Sequence, residues 1–253
     1  VMYTNHRNHL AFMRSVFTLN QAGLLEKTIP WVYRAYSAHG FSFDYFPTVL
    51  QAWMQAIAAI IPGDLAQPLL RVYRWMLATH DEMVVASQRP DDGVSSEVAT
   101  RWQPVQRRFL RALLEGDHRA CLDMAMEQAH TIEEIGAFFT QVMQPALYEI
   151  GRLWERNEIS VAHEHLASSI VGRVMTALYL DVKGIEGQRG TAVVTAAPEE
   201  FHQLGAWMLA DLLELEGWRV RYLGANTPAQ DVVNLVRQER PSLLCLSVTM
   251  PFN

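Results

Sequence analysis

Residues 191–215, TAVVTAAPEEFHQLGAWMLADLLEL, decide the fold class of the C-terminal part of this chain. The apolar run 191–197 is typical of a buried strand, and residues 206–215 are typical of a helix. The loop between them carries Glu200 and His202. In open α/β folds such a strand-to-helix loop lies at the carboxyl edge of a parallel sheet, where ligands bind. The stretch therefore predicts a ligand-binding loop on an α/β scaffold.

The spacing of Glu200, His202 and Gly205 resembles the D-x-H-x-x-G signature of the cobalamin-binding domain. The resemblance implies that His202 is the lower axial ligand of cobalt and that Glu200 orients its imidazole. A metal-ligating histidine usually donates its other ring N–H to a carboxylate, which fixes the tautomer. Gly205 would leave room for the cofactor's tail close to the backbone. By itself the hexapeptide also fits a surface or capping histidine, and it departs from the signature by carrying Glu where Asp is commoner.

The C-terminal region, residues 190–253, continues with a β-α-β-α-β pattern. The predicted elements are a strand at 191–197, a helix at 203–216 ending at Gly217, a strand at 219–223, a helix capped by Thr227 with Pro228 and Gln230, and a strand at 243–249. The last strand is a continuous apolar run, which favours burial on both faces of the sheet. No G-x-G-x-x-G follows the first strand, so a dinucleotide-binding domain is disfavoured.

Further segments resemble the cobalamin-binding domain. Leu223 and Gly224 resemble one of its loops, and Ser247 and Thr249 resemble its S-x-L/S-x-T segment. The resemblance implies that the serine of this segment meets the displaced benzimidazole. The chain stops at Asn253, where that domain has two more strands and a Gly-Gly pair, so we expect a fragment with an incomplete Rossmann-like domain.

Residues 97–185 predict a four-helix bundle. Thr131 opens a capping box, in which Glu134 bonds back to the Thr131 amide. The helix that follows carries apolar residues on one side as far as Trp154, and Ser160 is predicted to cap the next helix.

Trp154 is followed after nine residues by Glu164 and His165. This spacing resembles the W-x9-E-H motif of adenosylcobalamin-dependent photoreceptors, the light-responsive repressor family. The resemblance implies a helical cap in which Trp154 packs on the adenosyl group, Glu164 contacts it and His165 binds cobalt after light. Each residue also fits a plainer structure, because tryptophans near helix ends are often core residues and Glu-His often forms a solvated first turn. His163 and His165 lie about 200° apart on a helix, which argues against a two-histidine metal site.

Residues 1–88 predict an all-helical domain of about four helices, one of them capped by Asp44. Eight of the 25 aromatic residues lie between positions 31 and 53: Trp31, Tyr33, Tyr36, Phe41, Phe43, Tyr45, Phe46 and Trp53. The set fits either an aromatic-rich core or a slot for a large planar ligand. Four basic side chains could meet acidic substituents of such a ligand: Arg34, Arg71, Arg74 and His80.

A helical, aromatic-rich domain ahead of a cobalamin photoreceptor module is similar to the photocobilins. That resemblance implies a biliverdin beside the cobalamin and control of an attached enzyme domain by light. Cys121 and Cys245 both lie outside residues 1–88, so the biliverdin would be held non-covalently. The polar run 87–96 predicts a linker between this domain and the next.

Composition sets further bounds. The net charge of −6 argues against sequence-independent nucleic-acid binding. Two cysteines cannot make a disulfide framework, and we expect both to be buried and structural. No signal peptide and no apolar run of about 18 residues is present in the sequence, so a cytoplasmic location without membrane contact is predicted.

The chain is thus predicted to be mainly α with a C-terminal α/β part: a helical bundle, a four-helix cap and a Rossmann-like parallel sheet. Its predicted function is a light sensor, not an enzyme, in which photolysis of adenosylcobalamin changes homo-oligomeric assembly and controls an unidentified output. One alternative is a corrinoid methyl carrier, although such carriers usually have an apolar, proline-bearing stretch at 161–165. The other alternative is a cobalamin-free interaction adaptor.

Overall fold

The computed structural model describes residues 2–89, 98–184, 187 and 189–249. They are mainly helical with a three-stranded parallel sheet near the C-terminus, which confirms the predicted fold class. The described residues fall into two compact units, one made of residues 2–89 and 155–158 and the other of the rest. Most of the predicted linker lies outside the described residues.

The first unit is a bundle of helices. They span Met2–Thr18 (α1), Gly23–Ala38 (α2), Tyr45–Ile60 (α3), Gly63–Ala78 (α4) and His80–Ser87 (α5). The sequence pattern predicts about four helices, and α5 is the additional one, separated from α4 by Thr79 alone. Within the described ranges, no helix of either unit is long and apolar enough to cross a membrane.

Asp44 does not cap α3 with its side chain. The Ser42 hydroxyl donates to the Asp44 carboxylate at 3.1 Å, and the Asp44 N–H donates to Ser42 Oγ at 3.2 Å. Asp44 thus holds the predicted N-cap position but makes no cap bond, because this local turn uses the carboxylate that would otherwise bond to the helix.

The helices of the second unit lead to its sheet. They span Gln103–Glu115 (α6), His118–Gln128 (α7), Ile132–Phe138 (α8), Gln144–Glu155 (α9) and Val161–Asp181 (α10). A π-helical turn, Phe139–Met143, joins α8 to α9. Pro145 has no N–H to donate to the carbonyl of residue 141 and its ring would clash there, so a wider turn fits the chain. The helix predicted to reach Trp154 is present, and the π-helical turn divides it into the α-helical segments α8 and α9.

The helix caps of this unit were predicted with mixed success. Thr131 Oγ1 accepts from the Glu134 N–H at 3.2 Å, which confirms the Thr131 cap. The Glu134 carboxylate accepts from the His130 N–H at 2.9 Å. Ser160 holds the N-cap position of α10 but makes no cap bond with its side chain. Its hydroxyl is instead 2.7 Å from His163 Nδ1, so the side-chain cap predicted for Ser160 is wrong.

The sheet has the predicted parallel arrangement. Its strands span Thr191–Ala196 (β1), Arg219–Tyr222 (β2) and Leu243–Ser247 (β3), and the helices between them span Leu204–Leu215 (α11) and Ala229–Glu239 (α12). The strand order is β2-β1-β3, so β1 pairs with both others. Because β1 is central, the loop that follows it emerges from the middle of the sheet.

Three local predictions fail in this region. The side chains of Leu244 and Leu246 are 42% and 58% exposed, so β3, a lateral strand of the described sheet, is open on one face and not buried on both. Cys245 between them is only partly buried, unlike Cys121, whose burial is confirmed. Thr227 does not cap α12, because Pro228 takes the N-cap position in an extended conformation and the Thr227 hydroxyl donates to a carbonyl upstream.

Helix α11 is packed on two sides. Ala206 and Ala210 cluster with Val194 of the sheet. On its other side Trp207 lies so close to α10 that a Cβ added at Gly172 would be 3.2 Å from Cζ3 of the indole. The small residues therefore let α11 approach both layers closely, which fixes the helix that begins directly after the His202 loop.

Candidate functional site

Glu200 and His202 form a hydrogen-bonded pair at the carboxyl edge of the sheet. Glu200 is fully buried, and its Oε1 lies 2.6 Å from His202 Nδ1. The same oxygen accepts from the His202 N–H at 2.9 Å, and Oε2 accepts from the Thr249 N–H at 2.8 Å. The His202 side chain is 56% exposed. Since a carboxylate only accepts, Nδ1 carries the proton and Nε2 is the ring nitrogen suited to a metal.

Backbone bonds hold this loop in place from neighbouring segments. The Ala197 N–H donates to the Ser247 carbonyl at 2.9 Å, and the Asn226 N–H donates to the Glu200 carbonyl at 3.0 Å. Asn226 Oδ1 in turn accepts from the Glu199 N–H at 2.9 Å. The loop after β1 is therefore tied both to the end of β3 and to the loop after β2.

The other predicted residues of this edge lie around the same loop. A Cβ added at Gly205 would be 3.9 Å from Ser247 Oγ, an ordinary contact. Gly224 has a φ of +76°, and its carbonyl accepts from the Ala196 N–H at 3.0 Å. Leu223 donates from its N–H to the Val194 carbonyl at 3.0 Å. These residues and Thr249 lie at the same edge of the sheet as the Glu200–His202 pair, and their contacts with a cofactor stay predictions.

The second predicted group lies at the end of α9 and the start of α10. Trp154 is partly buried, and the His165 side chain is 75% exposed. Glu164 joins two side chains: its Oε1 accepts from Ser168 Oγ at 2.9 Å, and its Oε2 is 2.5 Å from His165 Nδ1. This geometry fits the solvated first turn and the cofactor contact equally well.

Metal-ligating side chains do not cluster in the described part of the chain. No group of three or more His, Cys, Asp or Glu residues is arranged there to hold a metal ion. A metal carried inside a macrocycle needs only an axial ligand from the protein, which a single imidazole can supply. The chemistry of the Glu200–His202 pair fits that need.

Most of the eight aromatic residues between positions 31 and 53 pack on one another. Tyr33 and Phe46 are buried, and their rings stack with centroids 3.8 Å apart. Tyr36 lies within 5.8 Å of the rings of Phe41, Tyr45 and Phe46. Of the two interpretations of this set, the contacts favour the aromatic-rich core.

The four basic residues predicted beside a planar ligand are dispersed in their roles. Arg34 Nε donates to Glu155 at 2.6 Å, and His80 Nδ1 lies 3.0 Å from the Tyr33 hydroxyl. Arg74 is exposed. Arg71 lines a cavity of about 450 Å³, whose other walls are Ala22, Gly23, Glu26, Pro68, Val72 and Trp75. The structure therefore does not gather these four residues into one site.

Several residues that shape the His202 site escaped the sequence reasoning. Thr249 was expected to contact a cofactor, yet it acts through its backbone N–H on Glu200. The Tyr222 hydroxyl donates to the Gln203 carbonyl at 3.3 Å. Asn226, with a φ of +54°, closes the facing loop. Asparagine in a G-x-N-x-P run is a turn signal that could have revealed this last role.

Comparisons with known proteins agree with the geometry. Residues 105–179 and residues 190–253 each match a family described as a B12 binding domain. The chain is 30% identical over 156 residues to the HTH-type transcriptional repressor CarH of Myxococcus xanthus, which covers 61% of this chain and 51% of the repressor. It is 30% identical over 135 residues to the repressor CarA of the same organism, covering 53% and 43%.

Corrinoid proteins are also similar. Trimethylamine corrinoid protein 1 of Methanosarcina acetivorans is 23% identical over 122 residues, covering 47% of this chain and 55% of that protein. The monomethylamine corrinoid protein of Methanosarcina barkeri superposes with a TM-score of 0.51 at 15% identity, covering 59% of this chain and 71% of that one, which shows the fold alone. The chain spans about half the length of the curated relatives it matches. The two domain matches and the similarity to CarH and CarA support a cobalamin-binding module in this chain.

Proposed function

We propose that the chain is a light-sensing module that binds adenosylcobalamin, with His202 as the lower cobalt ligand. The observation that carries the proposal is the buried Glu200 carboxylate, which holds Nδ1 of a half-exposed His202 and reserves Nε2 for cobalt. The matches to B12 binding domains and the similarity to the CarH and CarA repressors support the choice of cofactor. The W-x9-E-H spacing supports the response to light.

Each protein residue has a proposed role. When bound, the cofactor would supply a light-sensitive Co–C bond. Glu200 keeps the proton on Nδ1 of His202 and raises the basicity of the ring, as carboxylate partners of metal-bound histidines do. Gly205, Leu223, Gly224, Ser247 and Thr249 would line the path of the cofactor's tail. Trp154 and Glu164 would hold the adenosyl group, and His165 would be the residue that binds cobalt once that group is absent.

Light would be read out as assembly. A movement of His165 towards the corrin would shift α10, and packed helices respond by switching between discrete arrangements. We therefore propose a homo-oligomer that changes size on illumination, without direct contact of this segment with nucleic acid or membrane, in a cytoplasmic location. His165→Ala should weaken this change while dark binding of adenosylcobalamin survives. Size-exclusion chromatography with light scattering measures it, and a wild-type mass equal in dark and light would contradict it.

A second chromophore, non-covalent biliverdin, is proposed for the helical unit. The cavity of about 450 Å³ supports it, because Trp75 supplies an aromatic wall and Arg71 a cation for a propionate. The mutual packing of Tyr33 and Phe46 limits the rings that remain for such a ligand. The absorption spectrum of the freshly purified protein tests this proposal, since a bound bilin adds red absorption that a corrinoid lacks.

A corrinoid methyl carrier is the competing function, and the similarity to trimethylamine corrinoid protein 1 favours it. Both functions share the lower histidine, so the response to light and the transfer of methyl groups are the properties that separate them. A cobalamin-free adaptor is disfavoured by the two domain matches.

The deciding experiment reconstitutes the protein with adenosylcobalamin and compares its absorption spectra in the dark and under green light. We expect a spectral change on illumination in the wild type and weaker binding, or loss of the lower nitrogen ligand, in His202→Ala. His163→Ala is a matched control, because His163 is exposed and bonds to Ser160. An unchanged wild-type spectrum, combined with methyl transfer from methylcobalamin, would establish the carrier instead.

A further inference from the structure

Asp211, in the middle of α11, is a buried carboxyl group that the proposed function does not use. The residue is 8% exposed, and its Oδ2 has no hydrogen-bond partner among the residues that the structure describes. An ionised carboxylate in such a position is costly, since burial removes its hydration and only part of its accepting capacity is used.

The groups that face Asp211 do not offset a negative charge. The Trp207 side chain, one turn earlier on α11, hydrogen-bonds to the carboxyl, and Glu214 on the same helix repels it. A negative charge on Asp211 also contributes to raising the pKa of Tyr179 on α10 and of Tyr222 on β2. Three other elements pack on α11: α8 contacts it at its glycine, β1 has no charged residue and β3 offers Cys245 alone as a titratable side chain. No cation is among these groups.

Burial and Glu214 raise the pKa of Asp211 to about 7, although the bond from Trp207 opposes them. The ordinary value is 3.8, so the folded protein holds a proton that the unfolded chain has already released. This contribution to stability is complete below pH 4 and is lost as pH rises through about 7. The Asp211 carboxyl therefore changes charge near neutral pH.

A chain of contacts leads from Asp211 to the His202 loop. Trp207 packs on Gly172 of α10 and stacks on Tyr222, with ring centroids 6.4 Å apart and planes 23° from parallel. The Tyr222 hydroxyl donates to both oxygens of Gln203, at 3.3 Å to the carbonyl and 3.4 Å to the side-chain amide. Gln203 directly follows His202. A displaced indole would thus disturb the residue next to the proposed cobalt ligand.

We infer that proton binding at Asp211 regulates the His202 site. The neutral carboxylic acid tolerates burial beside α10 and β2. Loss of the proton to solvent favours a hydrated position of Asp211 and of the indole bonded to it, which loosens the packing of Trp207 and the loop that carries His202. The effect on cobalamin rests on the proposed function. The effect on the loop does not.

The test begins with the protein free of cofactor. Amide hydrogen exchange by mass spectrometry gives protection factors for residues 198–210 at pH 6.5 and pH 8, each corrected for the intrinsic exchange rate. We expect protection to fall at least fivefold from pH 6.5 to pH 8 in the wild type and to stay constant in Asp211→Asn. Asp211→Leu, which also lacks the charge, serves if the asparagine variant folds poorly. Asp123→Asn removes an exposed aspartate of the same unit and should behave as wild type.

Titration with adenosylcobalamin at the same two pH values forms the second arm. The affinity of the wild type should drop between pH 6.5 and pH 8 by several-fold more than the affinity of Asp211→Asn. Equal protection at both pH values, or the same pH dependence in the variant, overturns the inference. If the loop responds to pH but no cobalamin binds at either value, the proposed function fails and the control of the loop by Asp211 stands.

Discussion

Replacing Glu200 by Gln tests the construction of the His202 site most directly. The carboxylate accepts from two N–H groups of His202 through Oε1 and from the Thr249 N–H through Oε2. A glutamine amide has the same shape but a single oxygen. If that oxygen faces His202, the amide NH2 meets the Thr249 N–H, and the reverse orientation moves the conflict to His202. Either orientation leaves a donor facing a donor.

The size of the effect follows from these bonds. A hydrogen bond to a charged group contributes about 1.5–3 kcal/mol, and an unsatisfied buried donor costs about 1–3 kcal/mol. With Glu200 fully buried, we expect Glu200→Gln to lower the free energy of unfolding by about 3 kcal/mol. Loss of such an orienting carboxylate typically weakens a metal site by about 10–100-fold, so cobalamin affinity should fall within that range.

Two assays measure these losses: chemical denaturation of the cofactor-free protein followed by circular dichroism, and absorbance titration with adenosylcobalamin. Glu199→Gln is the matched control, because it removes the same charge one residue earlier from an exposed side chain. It should leave both quantities close to those of the wild type. If Glu200→Gln binds cobalamin within twofold of Glu199→Gln, Glu200 does not orient the ligand and the reasoning is refuted.

Three further predictions concern the packing of α10 on α11, the N-cap at Thr131 and the helical cap around Trp154. Gly172→Ala should lower the thermal midpoint and cost about 1–2 kcal/mol of stability, because the added Cβ would lie 3.2 Å from Trp207. Gly151→Ala is the control and should not lower the midpoint, because a Cβ there meets nothing within 4 Å. Equal midpoints for the two variants would contradict the close approach of α10 and α11. Thr131→Ala should lower the free energy of unfolding by about 1 kcal/mol, measured by denaturation. Thr131→Ser keeps the hydroxyl that accepts from the Glu134 N–H and should retain most of the wild-type stability. A serine variant as unstable as the alanine variant would argue against the cap. Trp154→Ala should lower the affinity for adenosylcobalamin about tenfold and leave the affinity for hydroxocobalamin unchanged, as expected for loss of an apolar contact with the adenosyl group. Calorimetric titration measures both affinities, and equal losses would disprove that contact.

The sequence predicted best what depends on neighbouring residues. The Glu200–His202 bond joins side chains two positions apart on one loop, so the spacing alone could reveal it. The parallel strands were placed to within two residues, because their apolar runs are short and bounded by turns. The Thr131 cap was predicted for the same reason, since its partner is three residues away.

What the sequence could not reveal depends on distant segments. Thr249 reaches Glu200 with its backbone N–H, a group that every residue but proline carries, so no pattern of side chains marks it. Asp211 lies on α11, which packs on α10, a helix that ends 30 positions earlier in the chain. The π-helical turn before α9 had a signal in Pro145, whose missing N–H makes a regular helix unfavourable there.

The bond between Thr249 and Glu200 also determines when, during synthesis, the loop that carries His202 can be completed. The two residues are 49 positions apart, so the hydrogen bonds of the Glu200 carboxylate are complete only when Thr249 has emerged and β3 has paired with β1. Ribosomes add about 5–20 residues per second, so roughly 2–10 s pass between the appearance of the histidine loop and the arrival of the amide that fixes it. The helical unit of residues 2–89 has been synthesised before this interval begins and can fold by then, since its contacts are local and form fast. A nascent chain can therefore complete its helical unit before the hydrogen bonds that fix the His202 loop are all formed.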